Sequence, residues 1–387
     1  MKDQINSSLV RAIDLIATDS QDRSATGGRA VVGADRVATS TSERITEIID
    51  VLDLGDGQNT LSVTGKMFGV NYFGGKDVDT IRSGVTENSR FWLGLGEDSV
   101  ELAQMSNSAI YAGAGEDKIT VGGIEKQEGR GSIISAEDGN DDDTITIKGD
   151  LFGTGNQIFG DAGNDTITIS GNIRGSNNLI DGGAGNDTIT LNGEVLKDLG
   201  GVFTIRGGDG NDTISVGNIG TENAVSILAG SGSDTVTVKN VKGDNDHIID
   251  LGEDVNKTDY DILSIEGSQS EGYNNQFSIG CTPSDHTQIW GAEEIRFTGT
   301  GVTVKIVSGN LVNNDTGPSS VGKDELFIRN DGGDATNKVV LSGSGWTKSE
   351  AAVEHSFNGE SYQNVDVYKH SSSEDILYIQ QGVTVII

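Results

Sequence analysis

Residues 160–169, GDAGNDTITI, return 22 positions later as GGAGNDTITL. Aligning the chain on the Asp or Asn that precedes each alternating run gives ten anchors: Asn59, Asp79, Asp98, Asp117, Asp143, Asp165, Asp187, Asp212, Asp234 and Asp261. Successive anchors stand 19–27 residues apart. A period of that length marks a solenoid, in which one repeat is one coil and only stacking buries its apolar side.

Apolar residues keep station relative to the anchor. Two positions after it every coil is aliphatic, from Leu61 to Leu263. Four positions after it only Ser83 breaks the aliphatic series. Seven before it stand Leu52, Tyr72, Phe91, Ile110, Ala136, Ile158, Ile180, Ile205 and Ile227. A third set, Ile124, Leu151, Ile173, Val195, Ile219 and Val241, follows most coils. A spacing of two is the strand period, so the residues between, such as Thr166 and Thr168, face outward. Parallel crossovers are nearly always right-handed. The expected fold is all-β: a right-handed parallel β-helix, or β-solenoid, of about ten coils of 19–27 residues. A short N-terminal cap and a C-terminal β-rich domain complete it.

Three segments follow. Residues 1–45 carry no repeat and read as a cap or assembly segment with a flexible connector; Leu9, Ile13 and Ile16 sit at helical spacing behind Ser7 or Ser8. Residues 46–270 are the solenoid. In residues 271–387 the glycine-Asp rhythm stops, although EEIRFTGTGVTVKI and EDILYIQQGVTVII read as strands.

Composition narrows the partners. The formal charge of −32 argues against nucleic acid and anionic membranes and favours divalent cations. No run reaches the roughly 18 apolar residues of a membrane span. The N-terminus lacks the apolar core and cleavage site of a secretory signal peptide. The single cysteine, Cys281, excludes an internal disulfide framework; a small buried side chain is its expected role, an intermolecular disulfide the alternative.

The turns carry the chemistry. GDAGND, GGAGND and GGDGND end at Asp165, Asp187 and Asp212, with looser copies ending at Asp98, Asp117 and Asp234. Two glycines flanking one residue allow positive φ and bring carbonyl oxygens together, and the Asp adds a carboxylate. Such hard donors suit Ca²⁺. Stacked carboxylates would repel one another without cations between them. The plainer alternative is a glycine-Asx turn that satisfies only its own backbone.

GGAGNDTIT and GGDGNDTIS resemble the RTX nonapeptide, GGxGxDxUx, a calcium-binding β-helix repeat. The resemblance covers residues 50–265 and implies calcium between consecutive turns, held by the Asp side chain and turn carbonyls. It carries that role onto Asp98, Asp117, Asp165, Asp187, Asp212 and Asp234, and less closely onto Asp79 and Asp261. In EDGNDDD the ligand is Asp141 or Asp143, and Asp161 and Asp209 are further turn carboxylates. The family repeats its motif about every nine residues. Here it returns about every 22, so one calcium column on one edge is expected. Residues 339–387 are similar to C-terminal regions of type I-secreted bacterial proteins, which implies export without an N-terminal peptide and folding on calcium outside the cell.

No H-E-x-x-H or G-x-S-x-G occurs, and His247, His286, His355 and His370 are not spaced as a zinc pair. Glu293 and Glu294 read as solvated charges. The expected function is therefore non-catalytic: a secreted structural protein that assembles with itself into a surface layer, filament or biofilm matrix, with cell-surface polysaccharide as a further partner. The alternative is a calcium-stabilised adhesin binding ice or glycan through the outward Thr ladder, from Thr144 and Thr146 to Thr235 and Thr237; an RTX-bearing enzyme ranks below both.

Overall fold

The structure is a computed structural model that describes residues 29–31, 36–40, 51–53, 56–63, 65–125, 131–137, 139–196, 201–220, 224–242, 247–252, 259–268, 273–279, 287–307, 325–332, 335–342, 345–371 and 375–387. Among these every regular element is a strand. Parallel coils stack into a β-solenoid of about eight turns, slightly fewer than the ten expected. An anchor marks one edge of a coil and not a closed turn. The coils of the outermost anchors, Asn59 and Asp261, pass through residues 64 and 253–258, outside the described set. The helix expected behind Ser7 or Ser8, as well as Cys281 and His286, also lies outside it.

The chain forms two compact units, Met1–Thr190 and Leu191–Ile387. In the first, one sheet runs Arg29–Val31, Val51–Asp53, Asn71–Gly75, Arg90–Leu95, Ala109–Ala114, Ile133–Ser135, Gln157–Ala162 and Leu179–Ala184. The other runs Arg36–Ser40, Asn59–Val63, Asp79–Glu87, Ser99–Ser106, Lys118–Val121, Thr144–Ile147 and Thr166–Ile169. Register places like over like: Leu61, Ile81, Val100, Ile119, Ile145 and Ile167 form one column, each at most 1% exposed. Met105, Ile124, Leu151 and Ile173 line the third side. Each buried aliphatic contributes about 1.5–3 kcal/mol.

One station moves. Ile134, not Ala136, pairs with Ile110 and Ile158. The acidic stretch before Asp143 makes this turn two residues longer, so the core seat falls nine residues ahead of the anchor and not seven. Outside the same sheet Phe73, Trp92 and Tyr111 stack at centroid distances of 4.7 and 5.7 Å.

In the second unit one sheet runs Val202–Asp209, Ala224–Ser231, Ile248–Asp250 and Thr287–Trp290, then through Gln276–Ile279 to Thr303–Val307, Lys338–Ser342 and Thr384–Ile386. The facing sheet runs Thr213–Ile219, Thr235–Val241, Ile262–Ile265, Glu294–Phe297, Glu325–Arg329 and Ile376–Gln380. Parallel pairing therefore continues past residue 270.

In the facing sheet it stops at Ile376–Gln380, whose second side is taken by the antiparallel strand Glu360–His370. Asn358 (φ 45°) and Gly359 (φ 77°) turn this strand into a hairpin with Trp346–Phe357, since two left-handed residues suit a two-residue hairpin loop. Phe357 stacks on Phe327 at 4.9 Å and His355 on Tyr378 at 3.9 Å. The outer strand Trp346–Phe357 carries three register shifts and the charged side chains of Lys348, Glu350 and Glu354. Both features discourage the addition of another strand.

Candidate functional site

The site is built on the turn that leads into each anchor. In GGAGND, Gly183 and Gly185 sit at φ 116° and 132°. A Cβ on Gly185 would fall 1.8 Å from the Gly163 carbonyl oxygen of the preceding coil. The glycines let the turns nest, and the anchor then enters its strand with its side chain turned inward. Asp79, Asp98, Asp117, Asp143, Asp165 and Asp187 are at most 5% exposed, and Asp212, Asp234 and Asp261 at most 2%.

These carboxylates form a ladder. In the first unit the backbone N–H of Asn59 donates to Asp79 Oδ1 at 3.0 Å. The same bond links Asp79 to Asp98, Asp98 to Asp117, Asp117 to Asp143, Asp143 to Asp165 and Asp165 to Asp187, at 2.5–2.8 Å. In the second unit Asp212 donates to Asp234 and Asp234 to Asp261, both at 2.7 Å. One oxygen of each accepting carboxylate thus takes the backbone N–H of the anchor on the coil before. The other oxygen, Oδ2, is buried without a hydrogen bond in Asp98, Asp117, Asp165 and Asp234. Buried polar atoms are nearly always satisfied, so four orphans in one kind of position call for a chemical explanation.

Burial raises these carboxyls far above the usual range, against the lowering effect of the amide bond each accepts. Asp98 and Asp261 are pushed up to about 8. Asp117, Asp165 and Asp234 reach about 7, and Asp143 and Asp187 about 6. Repulsion between neighbours adds to burial, for example from Asp117 and Asp79 on Asp98. The column resists holding bare negative charge.

The remaining candidates lie off the ladder. Asp141 Oδ2 accepts the Gly115 N–H at 3.0 Å. Asp161 Oδ2 accepts the Ser135 hydroxyl at 2.6 Å and the Glu137 N–H at 3.0 Å. Asp209 Oδ1 accepts the Ser231 hydroxyl at 2.9 Å on the exposed side of the turn. Among the described residues no three Asp, Glu, His or Cys side chains converge on a point where they could hold a metal.

Two residues have roles the sequence reading missed. Glu293 continues the ladder after Asp261, its Oε2 accepting the Asp261 N–H at 2.7 Å. Glu294, expected to be solvated, is 1% exposed. It accepts from Tyr260 Oη at 2.8 Å and pairs with Arg296 at 2.7 Å and Arg329 at 3.0 Å. Strand alternation gave no signal: Glu294 stands one place before Ile295, which pairs with Leu263 of the preceding coil, and it is Tyr260, Arg296 and Arg329 that surround it.

The fold and the ladder define a parallel β-solenoid whose coils are tied by inward-facing aspartates. No protein-family model, curated protein or solved structure matches the chain.

Proposed function

We propose that the chain is a non-catalytic, calcium-binding structural protein of the RTX type, exported by a bacterial type I system, which folds on Ca²⁺ outside the cell and assembles with itself into a surface layer, filament or biofilm matrix. The observation that carries this reading is the buried ladder with orphaned Oδ2 atoms. A buried carboxylate with half its hydrogen bonds needs a proton or a cation. The donor chemistry, carboxylate and turn carbonyl oxygen, fits a hard cation that takes six to eight oxygens. Asp98, Asp117, Asp165 and Asp234 would present Oδ2. Because no three acidic side chains converge among the described residues, main-chain carbonyls of the glycine turns would supply most of the shell. Calcium would neutralise the column, and a low-calcium cytosol would leave the chain unfolded for export.

The test starts from protein stripped with EGTA. Added millimolar Ca²⁺ is expected to raise the β-sheet circular dichroism and to give ordered polymers in negative-stain micrographs. A fold indifferent to calcium removes the metal from the reading. A calcium-folded monomer removes the assembly.

A second reading, a calcium-stabilised adhesin, is favoured by the register of the outward Thr columns. Thr144 pairs with Thr166 and Thr146 with Thr168, a regular flat array of hydroxyls and methyls. Ice shaping by a monomer would support it.

A further inference from the structure

We infer that the rung at Asp79 takes no calcium and is closed by Tyr72 instead. The phenol O–H donates to Asp79 Oδ2, so this coil is tied to its neighbour without metal and the calcium column begins at Asp98. The metal half of the inference rests on the calcium reading of the column; the Tyr72–Asp79 bond does not.

The turn that enters Asp79 differs from those that follow. It reads GGKDVD, with Asp77 where the clean copies have the last glycine of the turn. Gly94 and Gly96, Gly113 and Gly115, Gly183 and Gly185, Gly208 and Gly210, and Gly230 and Gly232 all take left-handed φ, from 106° to 132°, and none of residues 74–79 does. Paired left-handed glycines bring turn carbonyls together as hard donors, and the Asp79 turn lacks that pair. Its acids are engaged otherwise: Asp77 Oδ2 accepts the Gly57 N–H at 2.9 Å, and Lys76 Nζ lies 3.1 Å from Asp56 of the turn before.

Inside the same coil stand two polar groups without partners. Asp79 is fully buried; its Oδ1 accepts the Asn59 N–H, while its Oδ2 has no hydrogen bond. Tyr72 is fully buried too, and its hydroxyl has none either. Tyr72 is the one hydroxyl in a column that otherwise holds Leu52, Phe91, Ile110, Ile134, Ile158 and Ile180. A phenylalanine would fill that place as Phe91 fills the next, and a hydroxyl in an apolar core is costly unless it finds an acceptor.

Gly74 lets the two meet. Tyr72 and Gly74 are the buried positions of strand Asn71–Gly75, roughly 7 Å apart along it, a span that a tyrosine side chain covers. A Cβ on Gly74 would lie 2.1 Å from Asp79 Oδ2, so that oxygen hangs over the bare glycine. Burial pushes the Tyr72 hydroxyl up, and Asp79 acts on it ahead of Asp98. The Asp165 coil supplies the contrast. A Cβ on its Gly160 would lie 2.5 Å from Asp165 Oδ2, but Ile158 stands in place of Tyr72 and offers no donor. A phenol donating to a carboxylate satisfies both groups and does for Asp79 what a cation would do for the later rungs.

The experiment counts calcium on the folded full chain by equilibrium dialysis and follows the same proteins in thermal melts. Asp98→Asn is expected to lose one ion relative to wild type and Asp79→Asn to lose none. Tyr72→Phe is expected to lower the melting temperature, and to lower it less in the Asp79→Asn background, because a hydrogen bond to a charged group is the stronger one. The metal half is overturned if Asp79→Asn loses an ion or Asp98→Asn loses none. The Tyr72 assignment is overturned if Tyr72→Phe melts at or above the wild-type temperature, or if it costs as much in both backgrounds. A wild type that binds no calcium sinks the calcium reading of the column, and the melts still decide the Tyr72–Asp79 bond.

Discussion

The backbone N–H of Asp165 donates to Asp187 Oδ1 at 2.8 Å, while the Asp165 carbonyl accepts the Thr188 N–H at 2.8 Å. Each anchor is thus tied to the next coil twice, once through a side chain and once through the ordinary sheet bond. The side-chain bond is specific to a residue whose carboxylate reaches back one coil, so it fixes which turn stacks on which.

Removing that reach has a measurable cost. Asp165→Ala leaves the Asp143 N–H buried without an acceptor and should destabilise the fold by about 1–3 kcal/mol. Asp165→Asn keeps an acceptor oxygen and removes the charge. In calcium-free buffer at pH 8 it should be at least as stable as wild type, while its calcium stoichiometry falls. Urea denaturation with and without Ca²⁺ separates the two variants.

The ladder also sets a pH dependence. The folded carboxyls lie between about 6 and about 8, above their unfolded value of about 3.9. Between those values the native state binds more protons than the unfolded chain, so stability falls as pH rises. Without divalent cations the melting temperature should drop from pH 5 to pH 8.5. With saturating Ca²⁺ the drop should shrink or reverse, because metal binding favours the deprotonated ligand. A metal-free protein that gains stability over this interval would contradict the buried ladder.

Gly185→Ala tests the nesting of turns. The φ of 132° and the 1.8 Å approach to the Gly163 carbonyl leave no relaxed position for a methyl group. The penalty should exceed the roughly 1–2 kcal/mol of a left-handed residue alone. Hydrogen exchange should speed up first at Thr166–Ile169 and Thr188.

Glu294 holds two arginines. Glu294→Ala leaves Arg296 and Arg329 without their shared carboxylate. These arginine side chains are 29% and 18% exposed, so the loss should fall near the lower end for a broken buried pair, about 3 kcal/mol. Glu294→Gln keeps an acceptor and should lose less. Thermal melts of both variants give the comparison.

The solenoid was legible because its core signal is periodic. Ile81 over Leu61 and Val236 over Ile214 follow from counting two residues past an anchor. The calcium-like turn was legible as a motif, but its hydrogen bonds were not: nothing in GGAGND says that Oδ1 caps the previous coil. Glu293 escaped because it lies 32 residues after Asp261, beyond the usual interval, and follows no GxGND motif, although Gly291 keeps a positive φ of 75° two places before it. The hairpin had a readable signal in Asn358-Gly359, a pair that favours two left-handed residues. Ser83 was visible only as an irregularity. Its buried hydroxyl, without a hydrogen-bond partner in the column of Val63 and Leu102, is not something a single-coil pattern displays.

The strand Glu360–His370, laid antiparallel on Ile376–Gln380, has a consequence for growth. Each coil offers its main-chain groups to a successor running in the same direction, and here those groups are spent on a strand running the other way. The sequence of coils therefore has a full stop written into this sheet. The other sheet has no such stop: it ends on Thr384–Ile386, paired on one side only among the described residues, so main-chain addition of a copy would be confined to that sheet.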